Sequence, residues 1–278
     1  MSVSVRLAVR DDLDAITRLT SRRRARLAEW SPRWWHAAAG ADVVHPMWME
    51  HLLGSDDATV RVVEYAGDVV GCAVSNRQPG QWFVDDVAIV SDVRWHDGGI
   101  VLLESVAERP ALTCVPTADD LFAAAARLLG LHIVSSYWIR SLVDHPARFT
   151  PNPGGVVVRA AAPDELGDVE PGPQHTFGGS LDPSAPGALI LADDELGFVV
   201  GSPSSPAPPV YDPGGLVTVV DRVVGEVTAL LEAAITVATD RGDVVLTVVC
   251  GEADHELAAA LIEHGFVRTV NVMAWPDR

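Results

Sequence analysis

Two adjacent carboxylates interrupt an otherwise apolar run, Trp82-Phe83-Val84-Asp85-Asp86-Val87-Ala88-Ile89-Val90. A buried carboxylate is costly unless paired, so these acids either meet a cation, stay in water, or serve proton transfer. Alternation along a strand predicts that Asp85 and Asp86 face opposite sides of a sheet. A glycine-marked turn follows, Arg94-Trp95-His96-Asp97-Gly98-Gly99-Ile100-Val101-Leu102-Leu103. A turn of this kind opens a helix. Free amides and the positive end of the helix dipole favour an anion there, and glycine lets it come close. A second such segment runs Arg222-Val223-Val224-Gly225-Glu226-Val227-Thr228-Ala229-Leu230-Leu231.

Other side chains with chemical potential are more scattered. Trp30, Trp34 and Trp35 fall close together, with His36, His45 and Trp48 just beyond. Such a group is either core, an interface, or the wall of a pocket for a hydrophobic or aromatic ligand. Arg22-Arg23-Arg24 with Arg26 is the one basic run. It reads as a solvated helix face with carboxylate partners, or as an attractor of anions. His175 and Tyr211 sit in glycine-marked loops, Gln174 to Gly179 and Tyr211 to Gly215. The nine histidines show no ligand spacing, and Cys72, Cys114 and Cys250 lie in apolar strand-like contexts. The cysteines read as buried thiols rather than a disulfide set, and no metal site is expected.

The elements that must position these groups occur twice. Val5-Arg6-Leu7-Ala8-Val9-Arg10-Asp11-Asp12-Leu13 recurs as Val158-Arg159-Ala160-Ala161-Ala162-Pro163-Asp164-Glu165-Leu166. In the same order, 69–75 pairs with 195–201, 94–103 with 222–231, 128–131 with 263–266, and Trp138 with Trp275. Ordered self-similarity of this kind indicates two copies of one fold. The first copy reads strand 2–9, helix from Leu13, short helix 47–53, hairpin 60–65/69–76 and strand 81–90. Helix 98–108, strand 111–115, helix 118–129 ended by Gly130, and extended chain 131–142 complete it. The second copy repeats the order without most of the region corresponding to 21–53. Pro146 to Gly155 breaks both periods and marks the boundary. We therefore expect domains at 1–148 and 149–278. Each is of the α/β (α+β) class, a mixed, mostly antiparallel sheet flanked by helices.

Composition narrows the function classes. The chain has 278 residues, 48% of them hydrophobic, a net charge of -18 and a mean hydropathy of +0.20. So acidic a protein is poorly suited to a phosphate backbone, which calls for clustered Lys and Arg. There is no apolar run long enough for a membrane span and no signal-peptide pattern. The expectation is a cytoplasmic protein.

Element order and the glycine segments together resemble the GNAT superfamily, the acyl-CoA-dependent N-acyltransferases. In that family a strand is followed by Gln/Arg-x-x-Gly-x-Gly/Ala and a helix beginning x-x-Leu-Leu. The first copy matches at Arg94, Gly99, Leu102 and Leu103, with Asp97 in place of the first glycine. The second matches at Arg222, Gly225, Leu230 and Leu231, with Val227 in place of the second small residue. The resemblance implies coenzyme A contacts at Val87, Ile89, Arg94, Gly98, Gly99, Arg222 and Gly225. It also implies a carboxylate base eight positions before the motif arginine, which is Asp86 in the first copy. The same offset gives Gly214 in the second copy, where Asp221 reads as a loop ion pair with Arg222. The tyrosine that commonly protonates the leaving thiolate is replaced by Ala126 and Leu261. Asp119 and Asp254 read as helix N-caps.

The resemblance thus implies acyl transfer from acetyl-CoA, or another short acyl-CoA, to a small amine. The first copy would be catalytic. Trp34, Trp35, Trp48 and Tyr211 are the candidate acceptor residues. The alternative is a catalytically inactive pseudo-acetyltransferase that serves as a binding or scaffolding module.

Overall fold

The computed structural model describes residues 3–31, 33–78, 80–90, 95–106, 110–145, 158–166, 188–192, 197–204 and 210–276. It divides into two compact units. One comprises Met1–Ile133, Pro206–Asp212 and Val270–Arg278; the other comprises Val134–Ser205 and Pro213–Thr269.

The first unit is a sheet in the order β1-β2-β3-β4-β5-β12. Its strands are β1 (Val3–Leu7), β2 (Ala58–Tyr65), β3 (Asp68–Gln78), β4 (Gln81–Ile89), β5 (Ala111–Pro116) and β12 (Val267–Ala274). All neighbours are antiparallel except β4 and β5. The β2–β3 hairpin turns on Ala66 and Gly67, both at positive φ (55° and 90°), the twist that two-residue hairpins need.

Helix α1 (Leu13–Trp30) and helix α2 (Ala41–Leu53) bury Ile16, Leu19, Met49 and Leu52 against Val60, Val62, Cys72 and Val74. Helix α3 (Ile100–Val106) and helix α4 (Asp120–Leu128) pack with Val63, Ala73, Val84, Val87, Met273 and Trp275 in a second core. Val62 and Val63, like Cys72 and Ala73, divide between the two cores, as strand alternation requires. Helix α2 begins six residues before the expected start at Met47. Pro46 marks a break in sequence but is accommodated inside the helix.

The second unit is ordered β6-β11-β10-β9-β8-β7. Its strands are β6 (His132–Ser141), β7 (Arg159–Ala160), β8 (Leu189–Ala192), β9 (Phe198–Ser204), β10 (Val217–Val224) and β11 (Val245–Gly251). Only β10 and β11 are parallel. Helix α5 (Val227–Arg241) and helix α6 (His255–Glu263) complete it, burying Leu230, Leu231, Ile235, Leu257 and Leu261. Asp119 and Asp254 cap α4 and α6, each accepting a backbone N–H at 3.1 Å, from Phe122 and Leu257.

Both units therefore carry the same mixed sheet, but a single cut near residue 148 does not divide them. The strand that closes each sheet is the last strand of the other copy. β12 pairs with β5 in the first unit, and β6 pairs with β11 in the second. The linker expected over 146–155 lies outside the described residues. No helix among the described residues is long and apolar enough to cross a membrane.

Candidate functional site

Asp86 stands where β4 stops being regular. The β3–β4 register steps from Val74↔Asp85 to Cys72↔Ala88, so Asp86 and Val87 together oppose Ala73. This is a β-bulge, and Asp86 takes a φ of +46°, a conformation non-glycine residues rarely adopt. On the other edge the β4–β5 ladder registers its last pair at Val84↔Thr113. β4 nevertheless runs on to Ile89 and β5 to Pro116. The parallel strands thus lose their pairing at the two carboxylates. The bulge also suspends the strict alternation that predicts opposite faces for Asp85 and Asp86.

Asp85 accepts the Asp86 backbone N–H at 2.8 Å, which helps to hold the left-handed residue. Burial, reinforced by the negative charge of Asp86, pushes the Asp85 carboxyl up to about 7. The Asp86 carboxylate is 18% exposed, with its Oδ2 3.6 Å from Nε2 of His45, which is only 1% exposed. His45 Nδ1 lies 3.1 Å from the Thr20 hydroxyl, and Thr20 Oγ1 is 3.0 Å from the Ile16 carbonyl. Asp86 is therefore the accessible end of a polar chain that runs inward from β4 through α2 to α1. Burial, and then Asp86, push the Cys72 thiol above its ordinary range, so it stays protonated and is no nucleophile.

Arg23 and Arg24 are not a solvated face. Arg23 lies 3.8 Å from Asp119 and 5.7 Å over the Phe122 ring. Arg24 is buried and donates to Ser21 Oγ at 2.9 Å and Asp42 Oδ1 at 3.1 Å. Of the run, Arg22 and Arg26 are exposed.

The second sequence copy contributes Tyr211 to this unit. Ala37 and Tyr211 form an antiparallel bridge. It is held by Ala38 N–H to Val210 O at 2.9 Å and Asp212 N–H to His36 O at 2.8 Å. Burial raises the Tyr211 phenol above its ordinary range. Asp86 and Asp85 add to the rise, against Arg23 and Arg24. The hydroxyl therefore stays protonated near neutral pH. Trp34, buried, and Trp35, half-buried, stand on the turn just before this bridge. Trp48 packs on the α1–α2 core, its ring 5.5 Å from His51.

The glycine segments depart further from expectation. Residues 95–99 form a π-helical turn into α3, and Arg94 lies outside the described residues. A Cβ on Gly99 would meet the Trp95 ring at 2.4 Å, and one on Gly98 would meet Val63 at 3.4 Å. Trp95 in turn stacks on Phe122 at 5.0 Å. Gly99 is thus required by internal packing. Asp97 is exposed, Val87 is buried on the α3 side, and Ile89 is half-buried at the end of β4.

In the second unit Arg222 lies within β10, not in a loop. Only Gly225 (φ +101°) and Glu226, the N-cap residue, link β10 to α5. The β10–β11 ladder registers its last pair at Val220↔Val248, and the register against β9 shifts between Val220 and Arg222. Superposing the two ladder ends matches Asp221 with Asp85 and Arg222 with Asp86. The pairing of Arg222 with Arg94, and of Gly214 with Asp86, does not hold, because a two-residue connection replaces a longer one. His175 lies outside the described residues. Among the described residues no cluster of three or more His, Cys, Asp or Glu could hold a metal ion.

No family model matches the sequence. No curated protein matches it either. Solved structures do match. A GCN5-related N-acetyltransferase from Sphaerobacter thermophilus aligns over 98% of this chain and 94% of its own, with 15% identity and a TM-score of 0.55. A proposed acetyltransferase from Thermoplasma acidophilum aligns over 99% of both chains, with 14% identity and a TM-score of 0.51. At such identities the likeness shows the fold, and the fold is that of the GNAT proteins.

Proposed function

We propose that the first unit is an acyl-CoA-dependent N-acyltransferase acting on a small amine, with Asp86 as its base. One observation carries this reading: an accessible carboxylate, backed by buried His45, sits on the bulge where β4 and β5 lose their pairing. Acetyl-CoA is the acyl donor we favour. When bound, it supplies an electrophilic thioester carbonyl and a thiolate leaving group.

Asp86 takes a proton from the acceptor ammonium, leaving the nitrogen with a lone pair. The β4 backbone at Val87 and Ile89, beyond the last β5 pair, offers amide groups to the donor's extended arm. Arg94 and the turn at Gly98 and Gly99 would face its phosphates. Tyr211 holds a phenolic proton near the same carboxylates, and Trp34, Trp35 and Trp48 flank the acceptor side. The second unit would be structural, since Arg222 stands in place of Asp86 and Glu226 puts a carboxyl at the helix end.

A specific observation favours the rival reading of a non-catalytic module. Trp95 occupies the space beside Gly99, where a phosphate loop needs open backbone. Calorimetry separates the two. Millimolar acetyl-CoA should give heat on wild type and weaker binding on Arg94→Ala. In turnover, Asp86→Asn should lower kcat by about 10²- to 10⁴-fold with coenzyme affinity nearly retained. Absence of heat would sink the enzyme reading, and equal turnover in Asp86→Asn would remove Asp86 as the base.

A further inference from the structure

We propose that the acceptor amine carries a carboxylate several bonds from its nitrogen, and that Arg24 binds it. This rests on the reading of Asp86 as the site that receives the amine.

Arg24 is 5% exposed. Its Nη2 is committed to Ser21 and Asp42, but its Nη1 is buried and has no hydrogen-bond partner. Buried donors are almost always satisfied, and a charged one above all. The counter-charge is weakly held, because the Asp42 side chain is 89% exposed. The Nη1 group is therefore left for an anion. A carboxylate oxygen accepts a charge-assisted hydrogen bond there, which an ammonium cannot do.

Position makes the anion part of the acceptor. Thr20, which backs His45, and Arg24 lie four residues apart on one face of α1, about 6 Å of helical rise. His45 and Asp42 are three apart on α2. The α1–α2 seam thus carries Thr20 with His45 at one level and Arg24 with Asp42 at the next. Tyr211 lies within electrostatic reach of both Asp86 and Arg24. A ligand beside Tyr211 would meet a carboxylate at one end and a guanidinium at the other. An amine separated from its carboxylate by a short chain has this charge pattern.

The test compares acceptor pairs of equal chain length with acetyl-CoA, following thiol release. The pairs are 4-aminobutyrate and butylamine, 6-aminohexanoate and hexylamine, and 8-aminooctanoate and octylamine. In wild type, kcat/KM for the acid should exceed that for the amine by at least about tenfold at the preferred length. In Arg24→Gln the ratio should collapse towards one, chiefly through KM for the acid, and Arg24→Lys should lie between. Ratios near one in wild type overturn the proposal, as does a ratio that survives in Arg24→Gln. Should Arg24→Gln not fold, the wild-type ratios decide alone. If nothing turns over, the catalytic reading fails and calorimetry decides this one. Tighter binding of 6-aminohexanoate than of hexylamine, lost in Arg24→Gln, supports it; equal or absent binding overturns it.

Discussion

The Asp86 carboxylate lies 3.6 Å from Nε2 of His45, and His45 is itself closed off from solvent. The pair divides its tasks by position. Asp86 can meet a substrate, whereas His45 can act only through Asp86. A hydrogen on Nε2 would face the carboxylate, with the Thr20 hydroxyl turned from the Ile16 carbonyl towards Nδ1. His45 is then a positioning residue, and His45→Gln should lower kcat by about tenfold or more while KM for the coenzyme changes little. Nitrogen chemical shifts of the His45 ring should report the Nε2–H form. A ring carrying its proton on Nδ1 would contradict this assignment.

Thr20 supports that histidine without touching the site. Thr20→Val keeps the volume but leaves a buried ring nitrogen without its partner. The expected loss is about 1–3 kcal/mol, measured by urea unfolding, and Thr20→Ser should restore most of it. Equal stability of the valine and serine variants would show that the hydroxyl contributes nothing.

The bulge at Asp86 has a conformational cost that can be measured apart from chemistry. At a φ of +46° an L side chain is strained, and glycine is not. Asp86→Gly should therefore be more stable than Asp86→Ala by about 1 kcal/mol, although both lose the base. Equal stability of the two variants would show that the left-handed backbone costs nothing at this position.

Gly99 tests the same question in the turn. A methyl there would come to 2.4 Å from Trp95, inside a core shared with Leu102, Leu103 and Phe122. Gly99→Ala should cost about 1–3 kcal/mol through overpacking, seen as a lower denaturation midpoint. Trp95→Leu in the same background should recover part of it. No recovery would mean that the clash lies with the backbone rather than with the indole.

Much of this arrangement is legible in the sequence, for physical reasons that differ from residue to residue. Periodicity places β4 and the helices, and turn chemistry places the hairpin at Ala66-Gly67, because both act over a few neighbouring residues. The caps at Asp119 and Asp254 are equally local. The role of His45 is not legible, since its partners Thr20 and Asp86 are distant in sequence. Nor is the exchange of β6 and β12, because both strands have the same pattern and could close either sheet. The bulge escapes too: a single extra residue in β4 leaves no mark on composition, yet it decides where Asp86 points. Sequence spacing misassigns Arg222 for a related reason, since it counts residues across a loop whose length differs between the copies.

Asp85 supplies the last prediction, through pH. Burial and then the neighbouring Asp86 disfavour its charge and push its folded carboxyl up to about 7, above the ordinary aspartate value of 3.8. A raised acid binds its proton more tightly in the folded state than in the unfolded one. Between these two values the folded protein therefore holds the extra proton, and stability falls as pH rises. The loss begins near pH 4 and is complete just above pH 7. Asp85→Asn removes the group that titrates and still offers an oxygen to the Asp86 N–H. Unfolding free energies from pH 5 to 8 should therefore slope downward more steeply in wild type than in Asp85→Asn. Parallel slopes would mean that Asp85 is ionised throughout this range.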